Sequence, residues 1–156
     1  MSPHPNIINF TDFYILSDQF VLVTDALHLN LLEYMNWKYN TLTESEIRDI
    51  FRAVVKAVEA CHQNGIIHRD IKPENIYLRV EQDGDRILEV KLGDFGLACC
   101  TDAQTEHQFK YGTVGYMAPE IISKEKVYDM SVDAYALGVL LFNLITGKMP
   151  FTGSSK

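Results

Sequence analysis

His68-Arg69-Asp70-Ile71-Lys72-Pro73-Glu74-Asn75 is the stretch that decides how this chain is read. Five of its eight side chains can carry charge, yet it follows directly on Ile66-Ile67 and leads into the largely apolar run Ile76 to Val80. A polar segment in that setting is a loop held by a core. Outward on the N-terminal side, Ile47, Ile50, Phe51, Val54, Val58 and Cys61 recur at three- and four-residue steps, which predicts one long amphipathic helix. Thr43-Glu44-Ser45-Glu46 forms its capping box and Asn64-Gly65 its stop. Outward on the other side, Ile76 to Val80 and Ile87 to Leu92 flank Asp83-Gly84, the signature of a second hairpin.

Nearer the start, Ile8 to Leu16 and Phe20 to Val23 read as antiparallel strands joined through Ser17-Asp18-Gln19, and Leu29 to Met35 reads as a short helix. Gly93 to Glu120 is turn-rich with few periodic positions, and loops of that length are usually functional. The last element runs from about Ser131 to Ile145 and stops at Thr146-Gly147. It is apolar nearly all round, which predicts a central buried helix.

Composition excludes several classes. The 156 residues are 47% hydrophobic and 22% charged, which fits one globular domain with a core of its own. Lys and Arg number 14 against 21 acidic side chains, so no basic face for nucleic acid is expected. No apolar run is long enough to cross a membrane and no signal segment opens the chain. Three cysteines, Cys61, Cys99 and Cys100, suit a reducing compartment and ordinary thiols, from which a cytoplasmic or nuclear location is expected. Oligomeric state leaves no mark in the sequence.

The run His68 to Asn75, followed by Asp94-Phe95-Gly96 and then Ala118-Pro119-Glu120, resembles the catalytic core of the eukaryotic protein kinases of serine/threonine type. Three such motifs in this order make the resemblance specific, and it extends from His4 to Phe151. It implies an α+β, two-lobed fold, present in part and truncated at both ends. Residues 1–27 would be small-lobe strands and hinge, and 28–156 the mostly helical large lobe through its central buried helix. It also implies transfer of the γ-phosphoryl group of Mg-ATP to a protein hydroxyl. ATP, Mg2+ and a protein substrate are the expected partners, with neither nucleic acid nor membrane.

Residue by residue, the resemblance makes Asp70 the acceptor of the substrate hydroxyl proton. Lys72 becomes the charge beside the transferring phosphate, and its place two residues after Asp70 is the serine/threonine pattern. Asn75 and Asp94 would hold magnesium through hard oxygen donors. Thr113 would brace Asp70 and Lys72. His68 and Phe95, with Phe10, would form an apolar stack; Asp133 would anchor the catalytic-loop backbone, and Glu120 would pair with a later arginine. Arg69 resembles the arginine that receives a loop phosphate. The usual phosphorylated position, three before Gly112, is Phe109, leaving Thr101, Thr105 and Tyr111 as candidates. At the nucleotide, Thr24 would guard the back of the pocket, the backbones of Asp25 and Leu27 would meet the adenine edge, Asn30 would touch the ribose, and Tyr77 stands where a leucine usually underlies adenine. Glu74 would favour basic substrate residues.

The family's Gly-rich loop and strand lysine have no counterpart here, for no Gly-x-Gly-x-x-Gly occurs and no lysine precedes Lys38. The alternative is therefore a truncated, inactive kinase-like chain that serves as a binding or competitor module.

Overall fold

In the computed structural model, residues 3–38, 41–82, 86–101, 111–123 and 129–151 are described. The chain opens with a hairpin, β1 (Phe10–Leu16) and β2 (Gln19–Thr24), closed by Leu16 opposite Gln19 around the turn Ser17-Asp18. Both strands alternate poorly because both faces are exposed. Phe13 and Phe20, diagonal neighbours across the hairpin, stack with centroids 6.0 Å apart, yet both stay accessible. The short β3 (Leu29–Asn30) then leads into α1 (Leu31–Trp37). Leu29 and Asn30, expected in the helix, are strand. Asn30 accepts from Glu33 N while its own N–H donates to the Glu33 carboxylate, so helix geometry cannot begin before Leu31.

The predicted long helix is α2 (Glu44–Gln63). Thr43 and Glu46 exchange the expected capping-box bonds, and the stripe Ile50, Val54, Ala57, Val58 and Cys61 is buried. Asn64 caps the other end and Gly65, at φ +67, turns the chain into β4 (Ile66–Ile67). After the catalytic-loop segment, a 3-10 turn at Pro73–Asn75 runs into β5 (Ile76–Val80), which pairs antiparallel with β6 (Ile87–Leu92) from Ile76 opposite Leu92 to Val80 opposite Ile87. The connecting Asp83-Gly84 falls outside the described residues. β3 adds to the other edge of β5, giving the order β3-β5-β6. Asn6 to Ile8 runs along β6, Leu92 donating to Asn6 O and receiving from Ile8 N at 2.8 Å each, which ties the first hairpin to this sheet.

Within the turn-rich segment the structure finds two short elements that two- and four-residue lengths hide from any periodicity: β7 (Cys99–Cys100), paired with β4, and α3 (Pro119–Ile122). The last helix, α4 (Ser131–Thr146), spans both cores. Ala136, Leu140 and Leu144 pack with α1, α2 and the β5-β6 sheet, while Val132 packs with Ile67, Cys99, Ala118 and Ile121. Only part of α4 is buried. Phe142 and Ile145 are exposed, and Leu141 and Ile145 face Ile47 and Phe51 of α2 across an open apolar groove. An all-round apolar helix carries no pattern that distinguishes its covered side, and α4 buries Val132, Ala136, Val139, Leu140 and Leu144 while leaving the opposite apolar face open. Among the described residues no helix is long and apolar enough to cross a membrane.

Leu140 is fully buried and Phe142, two residues on, is 41% exposed. Leu140→Ala is expected to lower the unfolding free energy by about 3 kcal/mol and Phe142→Ala by less than about 1 kcal/mol, read from urea titrations. Equal losses would contradict this account of α4.

Candidate active site

Asp133 lies in the first turn of α4 and is 1% exposed. Its Oδ2 accepts from His68 N and its Oδ1 from Arg69 N, both at 2.9 Å, and Oδ2 also meets His62 Nε2 at 2.9 Å. These bonds hold Arg69 at φ +67, a conformation unusual for a side chain of its size. His68 is buried with both ring nitrogens engaged. Nε2 lies 3.0 Å from Gly93 O, and Nδ1 receives Asp70 N at 3.3 Å, which fixes the neutral tautomer with the proton on Nε2. Burial, the largest influence, pushes its pKa below the ordinary value, outweighing the Gly93 bond and the nearby carboxylates. Phe95 meets the ring edge-on, 4.8 Å between centroids. Phe10, the third member of the expected stack, is 56% exposed, on the hairpin.

With the loop so fixed, Asp70, Lys72, Asn75 and Thr113 converge. Asp70 Oδ1 accepts from Thr113 Oγ1 at 2.7 Å; its Oδ2 accepts from Asn75 Nδ2 at 2.9 Å and pairs with Lys72 Nζ at 2.8 Å. Lys72 Nζ also donates to Thr113 Oγ1 at 2.7 Å, closing a triangle. Burial is the largest single influence on Asp70 and raises its pKa, but the bonds from Lys72, Thr113 and Asn75 together outweigh it and hold the carboxyl below the usual range. Of the three protons on the Lys72 ammonium, two are engaged.

Asn75 gives its amide protons to Asp70 O and Oδ2, and its own carbonyl accepts from Gly93 N. The side chain is buried at 4% exposure, and its Oδ1 has no hydrogen-bond donor among the described residues. Asp94 is exposed at φ +54, with one carboxylate oxygen taken by Gly96 N. A buried amide oxygen without a donor and an open carboxylate are hard ligands. That donor set fits a magnesium ion that keeps waters and takes further oxygens from a phosphate substrate. No cluster of three or more His, Cys, Asp or Glu side chains forms a closed cage among the described residues.

The residues expected at a nucleotide lie around the β5-β6 sheet. Tyr77 lies opposite Lys91 and Asn30, and its ring covers Gly93 so closely that a Cβ there would stand 2.9 Å from Cε2. Lys91 Nζ pairs with Asp25 Oδ2 at 2.6 Å, and Asp25 N bonds Asn9 O. The Leu27 N–H has no acceptor among the described residues. Thr24 is exposed at the end of β2, its Oγ1 donating to Asp25 O, 3.4 Å away. Asn30 Oδ1 accepts from Glu33 N at 2.9 Å in the α1 cap. Glu120 sits half-buried in α3. Glu74 is close enough to Tyr116 to help burial, the larger cause, push that phenol up to about 12. Thr101 follows β7 with its N–H on Gly65 O; Thr105 and Phe109 lie outside the described residues. Sequence reasoning missed His62 and Lys91, which act through partners 71 and 66 residues away. Cys61 proves a packing thiol, pushed up to about 11 by burial and then by Asp133.

A family model for the protein kinase domain matches residues 1–156. The phosphorylase b kinase gamma catalytic chain, liver/testis isoform, of Mus musculus is 40% identical over 154 residues, which are 95% of this chain and 36% of that one. The NUAK family SNF1-like kinase 1 of Mus musculus is 38% identical over 96% of this chain and 22% of its own length. Among solved structures, a chain of the yeast RNA Pol II CTD kinase CTDK-1 complex superposes with a TM-score of 0.83 at 25% identity, covering 98% of this chain and 49% of that one. The chain thus spans about a third or less of the curated relatives it matches.

The unfolded chain takes up a proton at histidine near pH 6.5 that the buried His68 refuses, so stability falls as the pH drops below that value. Asp70 acts in the same direction but only near and below the ordinary carboxylate value of 3.8. The urea midpoint should therefore be lower at pH 5.5 than at 7.5, and this difference should shrink in His68→Gln. An undiminished pH dependence in that variant would contradict the neutral assignment.

Proposed function

Because the chain belongs to the protein kinase domain family, we propose that its Asp70 cluster serves serine/threonine phosphoryl transfer from Mg-ATP. The observation that carries this reading is the closed triangle of Asp70, Lys72 and Thr113 beside the donor-free oxygen of Asn75. Phosphoryl transfer leaves little covalent work to side chains; it requires two reactants in line and neutralised charge. Asp70, ionised at neutral pH, accepts the hydrogen bond of an incoming serine or threonine hydroxyl and takes up its proton as the oxygen-phosphorus bond forms and the bond to the leaving diphosphate breaks. Lys72 has one ammonium proton left for a phosphoryl oxygen, and its tie to Thr113 keeps it in place. Thr113, in turn, belongs to the loop on which a substrate would lie. Asn75 and Asp94 would hold the magnesium, which when bound neutralises phosphate charge.

On the nucleotide side, the Leu27 N–H, without an acceptor among the described residues, and the Asp25 carbonyl suit the edge of an adenine, and the Tyr77 ring suits its face. Glu74, beside Tyr116, favours a substrate with basic residues. A chain with this chemistry is expected in the cytoplasm or nucleus. The alternative reading is a kinase-like chain that binds without catalysing.

Transfer of labelled γ-phosphate to a basic serine peptide separates the two. Asp70→Asn is expected to lower transfer by at least about a hundredfold while leaving Mg-ATP affinity, measured by calorimetry, within about threefold. Transfer retained in Asp70→Asn would overturn the assignment of the base; Mg-ATP binding without transfer in the parent chain would establish the second reading.

A further inference from the structure

β6 alternates in the strand period, with Val90 and Leu92 buried and Glu89 and Lys91 on the opposite face. Across the ladder on β5 stand Arg79 and Tyr77, so two cations and one ring share that face. The segment between β2 and β3 is fastened to this sheet almost residue by residue. Lys91 Nζ meets Asp25 Oδ2 at 2.6 Å, and Arg79 Nη2 donates to Ala26 O at 3.2 Å. His28 donates its N–H to Leu78 O at 2.9 Å, while its Nδ1 accepts from Val80 N at 3.3 Å. Between these ties the Leu27 N–H stands without an acceptor among the described residues.

The ties are unequal. Arg79 also pairs with Glu89 at 3.4 Å, but both side chains are exposed, and a surface pair of that length holds little. The Lys91 and Asp25 side chains are 15% and 24% exposed, and at 2.6 Å they form a charge-assisted hydrogen bond that water and salt screen less. The Lys91 ammonium is the largest influence on the Asp25 carboxyl and holds it below its usual range against the effect of burial. The same Oδ2 receives Asn9 N at 3.1 Å, and Asp25 N returns a bond to Asn9 O at 3.0 Å. One carboxylate oxygen therefore joins β6, the residue before β1 and the segment after β2. Losing Lys91 loosens a junction of three segments.

The geometry points to Lys91 as a positioning residue: through Asp25 it pins the segment after β2 to the β5-β6 sheet, and so fixes where the Leu27 N–H and the Asp25 carbonyl stand for the edge of an adenine. The inference rests on the kinase reading for its purpose, but the pinning is a property of the fold and is measurable with no nucleotide present. It assigns Lys91 to the adenine end alone, since phosphate chemistry belongs to Asp70, Lys72, Asn75 and Asp94. Adenine binding should suffer without it and the transfer step should not. A pair that only stabilised the fold would not separate the two.

The test compares the full chain with Lys91→Met, Asp25→Asn, the double variant and the conservative Lys91→Arg. Amide hydrogen exchange at Asp25 and His28, whose N–H groups bond Asn9 O and Leu78 O, is expected to run roughly three- to tenfold faster in Lys91→Met, with Val54 to Val58 of α2 unchanged. The adenosine Kd from calorimetry and the KM for ATP should each rise about five- to twentyfold while kcat stays within about twofold, and Lys91→Arg should restore most of the loss. Because the two side chains act as one unit, the double variant should be no weaker than the worse single one. Should Lys91→Met lose α2 protection, Asp25→Asn carries the same expectations, for asparagine keeps an acceptor for Asn9 N and removes the charge. Parent-like exchange at Asp25 and His28 in whichever variant keeps α2 protected, an unchanged adenosine Kd beside a loosened segment, or losses that add in the double variant would each overturn the proposal. A parent chain that takes no adenosine sinks the nucleotide reading, and exchange still decides the pinning; a parent that takes adenosine, with parent-like exchange in Lys91→Met, does the reverse.

Discussion

Asp133 is a buried carboxylate whose two oxygens receive the backbone N–H groups of His68 and Arg69 and the ring of His62. Everything chemical in the molecule depends on this. A polar loop crossing a core has backbone donors that water cannot reach, and each would destabilise the fold if left unpaired. One side chain from a helix distant in sequence satisfies two of them at once, and in doing so sets Arg69 into a left-handed conformation. That turn aims successive side chains in different directions: His68 toward Gly93 and Phe95, Arg69 toward Leu97 and Tyr111, and Asp70 toward Lys72, Asn75 and Thr113.

The elements around the loop are built to supply those targets. The β5-β6 pairing places the Gly93 carbonyl within reach of the His68 ring, while the Gly93 N–H donates to Asn75 O. The β4-β7 ladder carries the chain from Phe95 and Leu97 to Cys99 beside Ile67, immediately before His68. Two apolar clusters, one around α2 and one around α3, meet on α4, so the helix that bears the anchoring carboxylate is also the one that joins both cores. Packing and hydrogen bonding thus constrain the same residue from opposite sides.

Much of this was legible in the sequence, and for identifiable reasons. α2 announces itself by its stripe and capping box, both local signals. His68 to Asn75 stands out because charged side chains sit between apolar runs, whereas Asp94 to Gly96 was found only through the resemblance to protein kinases. What the sequence hid falls into three physical kinds. β3, β7 and α3 are too short for a period to register. The partnerships of His62 with Asp133 and of Lys91 with Asp25 join residues far apart along the chain, and a lone His or Lys carries no address. The exposed side of α4, finally, is as apolar as its buried side, so no pattern separates Leu140 from Ile145. Asn30 Oδ1 and N–H serve the cap of α1 through Glu33, a local pairing the sequence reading did not draw.

The close fit of the Tyr77 ring over Gly93 couples two positions in the history open to this protein. A side chain gained at 93 while Tyr77 remains collides with the ring, whereas loss of the ring first leaves room for it. The two substitutions therefore do not commute: position 93 takes a side chain more readily once residue 77 is smaller, with Ile8 Cγ2 at 3.3 Å still to give way.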